Sequence, residues 1–171
     1  VLAVALTLRS GGEVGGAVRI GGPFTLTDVN GAPFPSTRLT GRPHAIYFGY
    51  THCPDVCPTA LLDLTQAIKT LGPAGQDVAI VFISVDAARD TPEVMKAYVE
   101  TVNPAIVGLT GSEVEVAAVA KAFRVLYRAG PSDGGAYAVD HTALIYLYDR
   151  HGAFVSALAS GDPQETMLTR L

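Results

Sequence analysis

The chain has 171 residues and is 49% hydrophobic, enough to build one domain of ordinary size around a sizeable core. Its formal net charge is −4 and its 12 Lys and Arg are scattered, which excludes the basic footprint of a nucleic-acid binder. Two cysteines cannot frame a disulfide-dense secreted module, so their closeness in sequence points to redox chemistry or a metal.

Val1 to Leu8 is nearly all apolar but far short of the about 20 residues that cross a bilayer. It reads as the end of a trimmed anchor or signal segment, or as a first strand folding back on the domain. Gly11-Gly12-Glu13-Val14-Gly15-Gly16 and Gly21-Gly22 form a flexible lead-in without the strand-to-helix setting of a phosphate cradle. Residues 1–22 are therefore set apart as a stub or linker, and 23–171 as the domain.

Phe24 to Asp28 alternates, Asn30-Gly31 supplies the positive backbone angles of a tight turn, and Phe34 resumes on the return, which predicts a hairpin ahead of the main sheet. His44 to Tyr50 is apolar on both alternating faces, as in a central strand covered on both sides. Leu61, Leu62, Leu64, Ala67, Ile68 and Leu71 recur at helical spacing up to Gly72-Pro73. Val78 to Val85 is a second such strand and ends at Asp86.

Thr91-Pro92-Glu93 starts a helix whose Val94, Tyr98 and Val99 face inward. Ala105 to Leu109 is a third strand, and Gly111-Ser112 opens a helix through Val114, Val116, Val119, Ala120 and Phe123. Next come a strand from Arg124 to Arg128, a loose segment from Ala129 to Gly135, a strand from Thr142 to Tyr148, a turn at Asp149–Gly152 and a return strand from Ala153 to Leu158. Asp162-Pro163-Gln164-Glu165 repeats the cap signature and begins a last helix. A βαβ core closed by an antiparallel hairpin and a terminal helix is the thioredoxin-like arrangement. The expected fold is thus α/β, with a central sheet flanked by helices and an N-terminal β-hairpin extension.

The chemistry is concentrated where the first central strand ends. Pro58 lacks an N–H and disfavours helical backbone before it, which predicts a helix starting at Pro58 with Cys57 as its cap. Both sulfurs of Cys53 and Cys57 then lie near the positive helix end, and thiolates at neutral pH are expected. Two such thiolates either exchange disulfides or bind a soft metal, Cu(I) above all, since a closed zinc site normally takes four ligands.

Of the four histidines, His52 points away from the adjacent Cys53 in extended chain, His44 lies at the far end of its strand, and His151 is a turn residue. His141 directly precedes the strand from Thr142. In a thioredoxin-like sheet the loop entering that strand lies beside the active-site turn, which brings His141 within reach of both sulfurs as a third ligand.

Gly49-Tyr50-Thr51-His52-Cys53-Pro54-Asp55-Val56-Cys57-Pro58, then Ser84-Val85-Asp86 with Arg89-Asp90-Thr91-Pro92, then Val139-Asp140-His141-Thr142 together resemble the Sco (SenC/PrrC) family of copper proteins. The resemblance runs from about Gly22 to the C-terminus. It implies a thioredoxin-like fold and copper, as Cu(I) or Cu(II), bound by Cys53, Cys57 and His141. It also implies delivery to, or preparation of, the CuA centre in subunit II of cytochrome c oxidase. Family members are usually held by one N-terminal membrane helix. They face the periplasm from the bacterial inner membrane, or the intermembrane space from the mitochondrial inner membrane. The sequence does not identify the copper donor.

On this reading a mobile loop from Ala129 to Asp140 carries His141 away to release copper. Asp86 and Asp140 are expected as structural residues, with outer contacts to the site or a partner as the sharper role. The rival reading is a thiol–disulfide oxidoreductase that reduces the cysteines of the copper-receiving subunit, with Cys53 and Cys57 catalytic. An i, i+4 pair in a tight loop can meet the Cα separation of about 4.4–6.8 Å that a disulfide needs. Against it, general thioredoxins use a two-residue spacer and a cis-proline where this chain has His141.

Overall fold

The computed structural model describes residues 19–133 and 136–171. The expectations for the apolar start and for the glycines up to Gly16 lie outside the described residues. Within them, no helix is long and apolar enough to cross a membrane.

Strands β1 (Thr25–Asp28) and β2 (Pro33–Pro35) pair antiparallel across the Asn30-Gly31 turn. Only Gly31 takes a positive φ there, 76°, because Asp28 Oδ1 accepts from the amides of Asn30 and Ala32 and fixes the rest of the turn. The core alternates strand and helix: β3 (His44–Gly49), α1 (Val56–Thr70), β4 (Ala79–Ser84), α2 (Pro92–Val102), β5 (Val107–Thr110) and α3 (Glu113–Ala122). Strands β6 (Tyr127–Ala129) and β7 (Val139–His141) follow, then β8 (Leu144–Tyr148), β9 (Phe154–Ala159) and α4 (Gln164–Arg170).

Seven strands form one sheet in the order β2-β1-β5-β4-β3-β8-β9. The three middle strands β5, β4 and β3 run parallel, and the flanking pairs are antiparallel. The α/β expectation with thioredoxin-like order holds. The N-terminal hairpin is not ahead of the sheet, however, but its edge, because β1 also pairs with β5.

Every residue of β3 and β4 is buried, as continuous apolar strands covered on two faces must be. On one face Tyr47 stacks near Phe82, which meets Tyr98 of α2. On the other, Phe48, Tyr146 and Phe24 surround Phe123 at the end of α3. Leu62, Val94 and Val114, expected inside, are 51%, 36% and 80% exposed. Leu62 and Val94 lie one position, and Val114 two positions, from the buried Leu61, Met95 and Val116 that occupy the inward stripe instead. Ile20 and Gly21 are tied to this body, since Gly21 N donates to Ala122 O and Tyr148 Oη donates to Ile20 O.

Helix starts follow local chemistry. Thr91 Oγ1 accepts from Val94 N ahead of Pro92, and Ser112 and Glu115 form a reciprocal capping box. At α4 the expected cap fails: Asp162 Oδ2 accepts from Ala159 N and closes the turn behind β9, leaving Pro163 as an uncapped start. The segment expected as a strand over 124–128 and a loose loop after it is a two-stranded ribbon. Its strands β6 and β7 pair Tyr127 with His141 and Ala129 with Val139. Asp133 and Ala136 bridge further along, and Gly134 and Gly135 lie outside the described residues. His141 therefore ends a strand of its own rather than the loop before β8, which starts at Leu144.

Candidate metal centre

The buried strand β3 delivers its chain end to the site, and a connection of six residues turns it into α1. Cys53 N donates to Tyr50 O at 3.3 Å, which makes the turn. Thr51 straps it down: its amide and its hydroxyl donate to the two carboxylate oxygens of fully buried Asp90, at 3.0 and 2.6 Å. Ser84 Oγ donates to the same carboxylate at 2.6 Å, and Thr110 Oγ1 donates to the Asp90 carbonyl. The buried Asp90 carboxylate, with its three donors, and the Asp90 carbonyl hold β4, β5 and the site turn in one register.

Helix α1 begins at Val56, with Asp55 as a cap that makes no side-chain capping bond. The expected start at Pro58 is thus two residues late. Pro58 falls in the first turn, where backbone N–H groups lack helical partners anyway, so the missing donor costs nothing. Cys57 sits inside that turn with its side chain fully buried, while Cys53 is half-buried. Both are free thiols, and Cys57 N donates to Cys53 Sγ at 3.4 Å.

The ribbon brings His141 to Cys57 from 84 residues away, with Nε2 at 3.4 Å from Sγ. Nδ1 of the same ring lies 3.2 Å from the Thr142 carbonyl, which assigns the ring proton to Nδ1 and turns the Nε2 lone pair toward the sulfur. Burial lowers the His141 pKa, with the Thr142 carbonyl and Asp140 opposing, so the ring is neutral at pH 7 as a ligand must be. Cys57 runs against expectation. Burial pushes its thiol up to about 12, against the donating Tyr50 backbone, so it is not a thiolate at neutral pH in the metal-free chain. Desolvation outweighs the helix end here. Tyr47 Oη also points at Cys57 Sγ, at 3.8 Å.

The other histidines fall as the sequence places them. His44 is buried against Tyr148 at the opposite end of β3, and His151 is exposed in its turn. His52 is exposed and turned to Thr51 Oγ1 at 3.0 Å, away from a shared site with Cys53. His52, Asp86 and Asp90 offer ligand atoms within 4.8 Å of one another. The two carboxylates already accept from Tyr137, Arg89, Thr51 and Ser84, which makes this an internal polar network.

Asp86 is buried and bound to Arg89 Nε and Tyr137 Oη, whereas Asp140 is exposed beside His141. Tyr47, Tyr137 and Arg89 carry no residue-type signature of a metal site, and Asp90 is taken up by its own hydrogen bonds. The available signal was three charges, at Asp86, Arg89 and Asp90, packed between a buried strand and a helix.

A family model described as SCO1/SenC matches residues 13–171. The mitochondrial protein SCO2 of Saccharomyces cerevisiae is 42% identical over 160 residues, which cover 91% of this chain and 53% of that protein. The chain thus spans about half the length of this curated relative. The crystal structure of Arabidopsis thaliana ScoI with copper bound superposes with a TM-score of 0.83 at 38% identity, covering 88% of this chain and 94% of that one. Bradyrhizobium japonicum ScoI with copper bound gives 0.80 at 45% identity, covering 88% and 96%.

Proposed function

Because the chain belongs to the SCO1/SenC family, we propose that it is a copper-binding assembly factor of cytochrome c oxidase. Copper is its cargo, held by Cys53, Cys57 and His141 and passed to the CuA centre of subunit II. The observation that carries this reading is the 3.4 Å approach of His141 Nε2 to Cys57 Sγ, with Cys53 Sγ against the Cys57 amide. Two sulfurs and one neutral imidazole suit a soft ion, and both ScoI structures named above hold copper.

Binding replaces the thiol protons with the metal, and the three-ligand set leaves a position for a ligand of the receiving protein. Cys57 is closed off in the core, so copper enters and leaves on the Cys53 side. In this reading residues 23–171 are the copper-binding domain and 1–22 lead to it from an N-terminal anchor, with Ile20 and Gly21 already hydrogen-bonded to the domain. That anchor keeps the domain outside the cytoplasm, facing the periplasm or the mitochondrial intermembrane space.

The reduced protein is expected to take one Cu(I) per chain. Cys57→Ala should abolish tight binding, and His141→Ala should weaken it at least tenfold while the metal-free protein keeps its unfolding midpoint. Competition with a chromophoric chelator reads both effects, and His141→Ala with unchanged stoichiometry and affinity would sink the ligand assignment.

The two free thiols also support a second reading, in which they give two electrons and two protons to a partner disulfide and become a disulfide themselves. Fast disulfide turnover alongside weak copper binding would favour it.

A further inference from the structure

The ribbon that carries His141 stands apart from the main sheet: among the described residues β6 and β7 pair only with each other. At its base Thr142 N donates to Leu126 O, and Leu126 N donates to Thr142 Oγ1. Further out, Tyr137 reaches across to the β4–α2 connection, where its hydroxyl donates to Asp86 Oδ1 at 2.6 Å. The other oxygen of that buried carboxylate accepts from Arg89 Nε at 2.5 Å. The Arg89 guanidinium lies 3.5 Å from the centre of the Tyr137 ring, and its other neighbour is the Tyr50 ring at 5.9 Å. Tyr50 in turn meets the His141 ring edge-on, with centroids 5.9 Å apart.

The grip is fixed to rigid ground. Asp86 N donates to Ser84 Oγ, whose hydroxyl hydrogen goes to the Asp90 carboxylate that also straps the cysteine turn. The cysteines and the ribbon are therefore referenced to the same short connection after β4. A charge-assisted bond to a buried carboxylate and a cation–π contact act together on a two-stranded ribbon, which is marginal on its own.

We propose that Tyr137, gripped by Asp86 and Arg89, is a positioning residue for copper: it holds the ribbon where His141 Nε2 faces Cys57 Sγ, and so sets how fast the third ligand lets go. The proposal rests on the copper site of Cys53, Cys57 and His141. Tyr137→Phe keeps the ring on Arg89 and removes only the hydroxyl.

The experiment loads the reduced protein with Cu(I) and measures its transfer to excess chelator for the parent, Tyr137→Phe, His141→Ala and the double variant. Tyr137→Phe is expected to speed release about tenfold, in the range seen when the outer partner of a metal ligand is removed. In the His141→Ala background the same change should do nothing further, because the ligand it positions is gone. With Cu(II) loaded instead, Tyr137→Phe should shift the sulfur-to-copper charge-transfer absorption, which an effect on folding alone does not do.

An unchanged release rate, or the same acceleration in both backgrounds, overturns the positioning role and leaves the site standing. If His141→Ala itself releases copper like the parent, the ligand assignment fails and the proposal with it. Should Tyr137→Phe not accumulate folded, Arg89→Lys, which leaves the phenol in place, is read by the same comparison.

Discussion

Gly49 shows how one missing side chain shapes the site. It is the last residue of β3, and a Cβ there would lie 2.8 Å from Cys57 Sγ and 2.8 Å from Phe82 Cε2. Both neighbours are fully buried, so neither has room to give. Gly49→Ala is expected to cost about 1–3 kcal/mol, as overpacking of a tight core does, and to push Cys57 off His141. Chemical denaturation and copper affinity read the two effects. Gly22, with nothing within 4 Å of a Cβ, is the matched control. An unchanged unfolding midpoint for Gly49→Ala would show that the strand end yields.

The same scale separates what residue identity announces from what it hides. Cys53, Cys57 and His141 stood out because few side chains bind soft metals. The protonation of Cys57 did not, since it depends on how completely the fold buries the sulfur.

At the scale of elements, legibility followed the strength of local signals. The caps at Thr91 and Ser112 were readable because side chain and backbone meet within three residues. The start of α1 was not, because Asp55 caps it by backbone alone and Pro58 offered a stronger local cue two residues later. The ribbon was hidden for another reason. A strand was expected over 124–128, but all three residues of β6 are exposed, so no buried face marks its register or its partner, and Arg124 at φ 57° turns the chain just before it. The ribbon's side-chain bond to the distant β4–α2 connection runs from Tyr137 to Asp86, 51 residues away.

These differences give an element-level expectation. Ser112→Ala removes a hydroxyl that accepts from Glu115 N, and should lower stability by about 1 kcal/mol. Asp55→Ala removes no capping bond and should cost distinctly less. Helix α3 lies across the sheet from the cysteines, so copper affinity should stay put in Ser112→Ala. A loss of affinity there would mean that the two faces of the sheet communicate.

Over the whole molecule, the site gathers where parallel strands β3 and β4 end, the position at which open α/β sheets place ligands. That much follows from a βαβ core, and the alternation of strands and helices along the chain was legible in the apolar runs. The pairing of β1 with β5 was not, since nothing in either segment names a partner some 80 residues away. The opposite end of the sheet offers a test of pH dependence away from the candidate metal site. His44 is 7% exposed and stacks on Tyr148 with ring centroids 5.1 Å apart, its Nδ1 3.0 Å from the Arg42 carbonyl.

Burial lowers the His44 pKa from 6.5, and the Arg42 carbonyl and Asp149 only partly oppose it. Below about pH 6.5 the unfolded chain therefore binds more protons than the folded one. The stabilisation is complete above 6.5 and is lost as pH falls toward the depressed folded value. Glu93, Glu115 and Asp149 have pKa values lowered from 4.5, 4.5 and 3.8, so their losses come at lower pH and leave the interval from 7 to 5 to the histidines. His141 shares the sign, which makes a difference between variants the right observable. His44→Phe keeps a ring on Tyr148 and removes the titrating group. The unfolding midpoint of the metal-free protein should fall between pH 7 and 5, and fall less steeply in His44→Phe. Equal slopes in the two proteins would mean that His44 takes up its proton in the folded state as readily as in the unfolded one, which its closed stack on Tyr148 should forbid.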